Sequence, residues 1–290
     1  MWYINKQETK LIMKKKAIFT IFLIAAAVYL IISCSSISVK TYNLTSPYIK
    51  EHTSITIVML SDLHNTIHGK DQITLIEKIK NQNPDLILLC GDFISDITKI
   101  RGTQALLSGI SGLAPIYYVT GNHEHRSGNI NKIREELDSY GVIILSDNYV
   151  SIEINNNEII IAGIEDPFKA IYETPGYNQY ESMEEAFREL DEIKAYKILI
   201  AHRPERIEIY KRYSFDLVLS GHTHGGQVRF PFINGLIAPH QGLFPKYGGG
   251  LYEHENLTHI IGRGLSVNPL LPRIGNPPEL VVVILEAEKQ

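Results

Sequence analysis

The chain has 290 residues, 44% of them hydrophobic, with a formal net charge of −4 and two cysteines. That length carries a sizeable buried core in one large domain or two small ones. The near-neutral balance gives no sign of the basic stripe of a nucleic-acid binder, and two cysteines exclude a disulfide framework.

The first forty residues form a separate unit. Lys14, Lys15 and Lys16 precede an apolar run from Ala17 to Ile32, interrupted only by Thr20. As a helix this run is about 24 Å long, somewhat less than a hydrocarbon core of ~30 Å, and Lys16 can snorkel at its end. Two readings follow. The segment is an uncleaved signal anchor whose preceding positive charge puts the N-terminus in the cytoplasm and the domain outside. Alternatively, Ile31-Ile32-Ser33-Cys34 resembles a lipobox, and a lipid on Cys34 replaces the span. Met13 is a second candidate start. Either reading makes the cell membrane a partner and localises the following domain to its extracytoplasmic side. The expected organisation is an anchor over 1–39, a polar tether with Pro47 over 40–53, and a folded domain over 54–290.

The first half of that domain alternates strand and helix signals. Ser54 to Leu60 is a β-branched apolar strand, and Asp71 caps a helix reaching Gln82. Asp85 to Cys90 is a buried strand that makes Cys90 a core residue. A helix over Gln104 to Ser111 precedes a strand over Ile116 to Thr120. An amphipathic helix from Asn129 ends at Gly141, before a strand over Val142 to Leu145. The second half is richer in strands. Val150 to Ile154 and Ile159 to Ala162 flank the turn Asn155-Asn156-Asn157 as a hairpin. A helix over Ser182 to Glu192 leads to strands at Lys197 to Ala201 and Leu217 to Ser220, with a helix after Pro204. Further strands are predicted near Val228, at His259 to Ile261 and at Leu280 to Leu285. Alternation followed by hairpins predicts an α/β fold of mixed sheets covered by helices.

Polar motifs stand where five of these strands end. Asp62-Leu63-His64, Gly91-Asp92, Gly121-Asn122-His123-Glu124, His202 and Gly221-His222-Thr223-His224 each follow an apolar run. In open α/β sheets that edge is where ligands bind. Asp62 and His64, like His222 and His224, lie two apart, so an extended turn points both side chains the same way. Carboxylate, imidazole and amide oxygen suit Mn, Fe or Zn better than Mg or Ca, and the absence of a thiol argues against a structural zinc site. Asp92 is the candidate bridge between two adjacent divalent cations. Glycine before Asp92, Asn122 and His222 supplies backbone freedom for sharp turns.

These five motifs, in this order, resemble the signature of the calcineurin-like metallophosphoesterases, strongly over Ile55 to Gln227 and loosely to Leu285. With the N-terminal segment, the run from Gly221 to Arg229 resembles the bacterial membrane-associated branch, which includes enzymes similar to UDP-2,3-diacylglucosamine pyrophosphatases. The resemblance implies a four-layer β-sandwich flanked by helices. It implies one metal ion on Asp62, His64, Asp92 and His224, and another on Asp92, Asn122, His202 and His222. His123 would not ligate; it would stabilise the transition state or protonate the leaving group. The implied activity is hydrolysis of a phosphodiester, pyrophosphate or phosphomonoester, of a lipid-linked or sugar-nucleotide substrate. A non-catalytic binding module on the same fold and a metal-dependent nuclease are the competing classes.

Other polar residues receive plainer expectations. Glu124 either orients a ligand histidine or is a solvated turn residue. His68, His125 and His240 read as loop histidines. Arg229, Arg263 and Arg273 read as surface ion pairs, and Phe230, Phe232, Leu243 and Phe244 as packing residues.

Overall fold

The computed structural model describes residues 6–33, 36–230, 232, 234–268, 271 and 273–288, with only the backbone at 6–8, 26, 27 and 29–33. In chain order the elements are α1 (Lys6–Ser33), β1 (Ser38–Ser46), β2 (Ser54–Leu60), α2 (Ile73–Lys80), β3 (Leu86–Cys90), α3 (Arg101–Ile110), β4 (Ile116–Val119), α4 (Asn122–Arg126), α5 (Ile130–Asp138), β5 (Ile143–Ile144), β6 (Asn148–Ile154) and β7 (Asn157–Ile164). There follow α6 (Lys169–Tyr172), α7 (Gln179–Phe187), β8 (Tyr196–Ala201), α8 (Ile207–Tyr210), β9 (Leu217–Ser220), β10 (Ile237–Ala238), β11 (Gly242–Leu243), β12 (Gly250–His254), β13 (Leu257–Ile261) and β14 (Glu279–Ala287).

Two mixed six-stranded sheets form the centre, ordered β1-β14-β2-β3-β4-β5 and β12-β13-β9-β8-β7-β6. Three apolar layers separate four layers of structure. One packs Leu75, Ile79, Leu106 and Leu137 of α2, α3 and α5 onto the first sheet. The second joins the sheets through Ile57, Leu88, Ile161, Ile198 and Leu219. The third holds α7 and α8 on the second sheet through Met183, Phe187 and Tyr210. The central strands read as unbroken apolar runs because both of their faces are covered. All five residues of β3, including Cys90, are buried, and burial pushes the Cys90 thiol pKa up.

The expected helix-covered mixed sheets are present, with corrections at several elements. The stretch expected as a tether supplies β1, which lies parallel to β14 from Ser38 opposite Glu279 to Ser46 opposite Ala287. Tyr42 and Leu44 of β1 pack against the inter-sheet core. The strand expected near Val228 is a single bridge to Ile274. Asn122 to Arg126, where no element was expected, is the short helix α4. The hairpin turn is as expected: Asn155 and Asn156 have φ of 50° and 62°, and β6 and β7 pair antiparallel.

Among the described residues no helix is long and apolar enough to cross a membrane. The expected spanning anchor helix is corrected to a 28-residue helix whose first half carries Lys6, Glu8, Lys10 and Lys14 to Lys16. Its uninterrupted apolar part is short of a bilayer core. Ile18, Phe19, Ile21, Phe22 and Ile24 on it are exposed. Cys34 lies outside the described residues.

Candidate metal centre

The parallel strands β2, β3 and β4 of one sheet and β8 and β9 of the other end at the same place. Asp62, Asp92 and Asn122 leave the first three, and His202 and His222 leave the other two. Backbone bonds stitch the loops together: Asp62 N–H donates to Gly91 O (3.0 Å), His64 N–H to Asp92 O (3.0 Å) and Gly221 N–H to His202 O (3.1 Å). Five site residues in these loops have left-handed conformations, with φ of 52° at Asp62, 47° at His64, 57° at Asp92, 69° at His222 and 48° at His224. Each costs on the order of 1 kcal/mol outside glycine, and such strain clusters at functional sites.

The glycines act more by clearance than by freedom. Gly91 does need its φ of 80°. Gly121 has an extended φ of −109°, but a Cβ there would lie 2.2 Å from Asp92 Oδ1.

The imidazoles show how the ligand atoms are aimed. His202 Nδ1–H donates to Cys90 O (2.8 Å), so Nε2 keeps a lone pair, and it faces Asp92 Oδ2 at 3.2 Å. His64 Nδ1 bonds Ser95 Oγ (2.5 Å) and turns Nε2 to Asp92 Oδ2 at 3.6 Å. His224 Nδ1 bonds Ser266 Oγ (3.1 Å) and turns Nε2 to Asp62 Oδ1 at 3.7 Å. His222 is reversed, with Nδ1 3.1 Å from His202 Nε2. Metal-bound histidines tie their second nitrogen to an oxygen in this way.

A lone pair facing a carboxylate oxygen across 3.2 Å is repulsive unless a proton or a cation sits between them. Two atoms each ~2.1 Å from one ion, at tetrahedral or octahedral angles, are about 3.0–3.4 Å apart, close to these spacings. Asn122 Oδ1 and His64 Nε2 are buried without a hydrogen-bond partner, as ligand atoms awaiting an ion would be. The described residues contain matching groups of donors whose atoms lie within 4.8 Å of one another: Asp62, His64 and His224; His64, Asp92 and His123; and Asp92, His202 and His222. The nitrogen and oxygen donors fit divalent transition metals.

The protonation states agree with this arrangement. Burial lowers His224 to about 3 and His64 to about 4, and pulls His222 well below the usual range, so all three offer lone pairs at neutral pH. His202 is the exception. Burial pulls it down, but the Asp92 carboxylate overrides this and raises it to about 10. Asp92 is likewise disfavoured by burial yet held well below the carboxylate range by His202. Without a cation, a proton occupies the space between this pair.

Glu124 is neither a ligand orienter nor a solvated turn residue. It is fully buried, and its carboxylate accepts the N–H groups of Asp92 (3.0 Å), Gly121 (2.9 Å) and Ile94 (2.9 Å). It thereby shapes the turns that present Asp92 and Asn122. Burial, then Asp92, pushes its pKa up to about 7, against those N–H bonds.

His123 is half-buried, its ring centroid 4.5 Å from that of His64 and its N–H donating to Asp92 Oδ1 (2.8 Å). Arg126 Nη2 lies 3.0 Å from both of its ring nitrogens.

Three histidines expected in loops differ from one another. His68 is buried against Leu265 O. His125 is buried between Glu165 and Glu173. His240 is exposed and lies 2.9 Å from His222 Nε2.

Arg263 makes an ion pair with Glu279 (3.2 Å). Arg229 bonds Gly225 O, and Arg273 bonds Ser266 O and Arg263 O. The sequence reading missed Asp166 and Arg203, a buried bidentate pair beside His202, with Arg203 Nε 2.6 Å from Asp166 Oδ2. Their separation of 37 residues gave no local signal.

A cavity of about 640 Å³ opens onto this centre. His64, Ser95, His123 and His224 form its polar wall, and Ile237, Ala238, Pro239, Val267 and Leu271 its apolar wall.

The model of the calcineurin-like phosphoesterases matches residues 55–226. The Bacillus subtilis protein YpbG is 28% identical over 278 residues, which are 95% of this chain and 98% of YpbG. The Campylobacter jejuni metallophosphoesterase Cj0846 is 30% identical over 94% of this chain and 71% of its own length. Among solved structures, the Haemophilus influenzae NAD nucleotidase NadN superposes with a TM-score of 0.54 over 75% of this chain and 46% of NadN; at 17% identity this likeness speaks to the fold alone. The relatives' names stop at metallophosphoesterase, so they do not carry the narrower resemblance to UDP-2,3-diacylglucosamine pyrophosphatases. With that match over more than half its length and a pair of carboxylates ringed by imidazoles inside it, the chain belongs to the calcineurin-like phosphoesterases, as a metal-dependent hydrolase of phosphate esters.

Proposed function

We propose that two divalent cations are held here, one by Asp62, His64, Asp92 and His224 and one by Asp92, Asn122, His202 and His222, for hydrolysis of a phosphodiester, pyrophosphate or phosphomonoester. The observation that carries this reading is the shared carboxylate: Asp92 Oδ2 faces both His64 and His202. Bound cations would supply Lewis acidity at the phosphoryl oxygens and a water acidified enough to attack phosphorus. The protein's part is placement. Asp92 keeps the two ligand groups adjacent, and Glu124 keeps Asp92 in place. His123 projects from the first turn of α4 into the cavity. Burial lowers its pKa against the pull of Asp92, with Arg126 adding to burial, and its ring would donate to a phosphoryl or leaving-group oxygen.

The apolar wall beside His123 and His224 favours a substrate whose phosphate carries an apolar group, such as a lipid-linked ester, over a sugar nucleotide. We extend the proposal to location: the enzyme works at the cell membrane, held by α1 lying against its surface or, on the extracytoplasmic face, by a lipid on Cys34. The exposed apolar side chains of α1 support this. Fractionation of cells with mass spectrometry of Cys34 tests it; a wholly soluble, unlipidated protein overturns it.

Bis(p-nitrophenyl) phosphate with added Mn²⁺ tests the chemistry. Asp92→Ala is expected to lose turnover by on the order of a thousandfold together with bound metal. His123→Ala is expected to lose roughly a hundredfold while keeping its metal. Wild-type turnover in Asp92→Ala overturns the assignment. Loss of metal in His123→Ala makes His123 a ligand, as its grouping with His64 and Asp92 allows.

A further inference from the structure

His222 faces two ways. Its Nδ1 lies 3.1 Å from His202 Nε2, inside the centre just described, and its Nε2 lies 2.9 Å from His240 Nδ1, outside it. Glu205 joins His222 and His240 to make a further group whose donor atoms all lie within 4.8 Å of one another. Glu205 Oε2 is a buried oxygen with no hydrogen-bond partner. Its other oxygen is 3.6 Å from Arg203 Nη1, a long contact, because Arg203 is already committed to Asp166 through Nε and Nη2. His240 is held by the edge of Phe168 (ring centroids 6.0 Å apart, 88° between planes) and stacks on His222. Like the five strained residues of the centre, it has a left-handed backbone, with φ 59°.

Two imidazoles and one carboxylate form the donor set of zinc sites that keep an open coordination position, and the exposure of His240 gives an ion a way in. Nitrogen donors select transition metals over Mg²⁺ or Ca²⁺. An imidazole cannot offer lone pairs from both nitrogens without giving up both protons. An ion that takes His222 through Nε2 therefore takes it from the pair.

We propose that Glu205, His222 and His240 form a third, weaker site for a divalent transition-metal ion such as Zn²⁺, and that filling it withdraws His222 from the binuclear centre and slows turnover. The proposal rests on the reading that His222 serves the pair. The remaining ligands Asp92, Asn122 and His202 keep the second ion in place, so the bound count rises while activity falls.

The test is a zinc titration of the full chain, with bound zinc counted by equilibrium dialysis and bis(p-nitrophenyl) phosphate turnover read in parallel. Wild type is expected to bind two ions tightly and a third at higher concentration, with turnover first rising and then falling roughly tenfold. His240→Ala and Glu205→Gln are each expected to lose the third ion and the falling limb while keeping the rising one. A falling limb unchanged in both variants, or no third ion in wild type, overturns the proposal. Fewer than two tight ions in wild type overturns instead the two-metal reading beneath it.

Discussion

Glu124 serves three backbone N–H groups with one carboxylate, so its removal leaves three buried donors without acceptors. Each such donor costs on the order of 1–3 kcal/mol. We therefore expect Glu124→Ala to lower the free energy of unfolding by at least about 3 kcal/mol in urea titrations. Metal affinity should fall with it, because the Asp92 turn loses its support.

Glu165 makes a second residue-scale prediction. Burial works against its charge. Bonding to His125, Arg134, Ser146 and Thr120 overrides burial and holds the pKa near 2, below the usual 4.5. A lowered folded-state value means that the stabilisation is complete above pH 4.5 and is lost as pH falls toward 2. It amounts to about 3 kcal/mol. Urea unfolding at stepped pH should show wild type losing that much more than Glu165→Gln between pH 5 and pH 2. Equal losses would remove Glu165 from the account.

The contrast between these residues and the metal ligands shows what the sequence made legible. Asp62, His64, His222 and His224 announce themselves by short spacing after apolar runs. Glu124 sits in such a motif, yet its role depends on N–H groups of Asp92 and Ile94 about thirty positions away. Asp166 and Arg203 are 37 positions apart and His240 is 18 from His222, and no local pattern records them.

At the scale of elements, the central strands were readable because β2, β3, β8 and β9 are continuous apolar runs. β1 was not. Ser38, Tyr42, Leu44 and Ser46 are the residues withdrawn from solvent, and the polar residues between them resemble a linker. What makes β1 a strand is β14, more than 200 residues away in sequence. A chain beginning at Thr53 would expose β14, whose Leu280 to Leu285 are all apolar, as an unpaired edge. We expect such a chain to aggregate on refolding where one beginning at Ser36 stays monomeric, by light scattering. The same dependence on context hid α4, a five-residue helix too short for periodicity to show.

For the whole molecule, the ligands come from both sheets, and a cation bound among them clamps the sheets together. Metal binds the folded state and not the unfolded one, so its removal lowers stability by mass action, about 2.7 kcal/mol at a hundred times Kd. Chelation with EDTA should therefore lower Tm, and restoring Mn²⁺ or Zn²⁺ should recover it. A Tm indifferent to chelation would separate the ions from the fold.

The register of β1 has a consequence for how the enzyme meets its surroundings. Lys40 and Met59 both pair with Val281, so they lie in one row across the first sheet. The front of β1 therefore points to the rim from which Asp62 departs, and the tail of β14 at Ala287 points to the opposite rim. A bead attached ahead of β1 would crowd the catalytic mouth, whereas one attached behind β14 would leave it open to large esters.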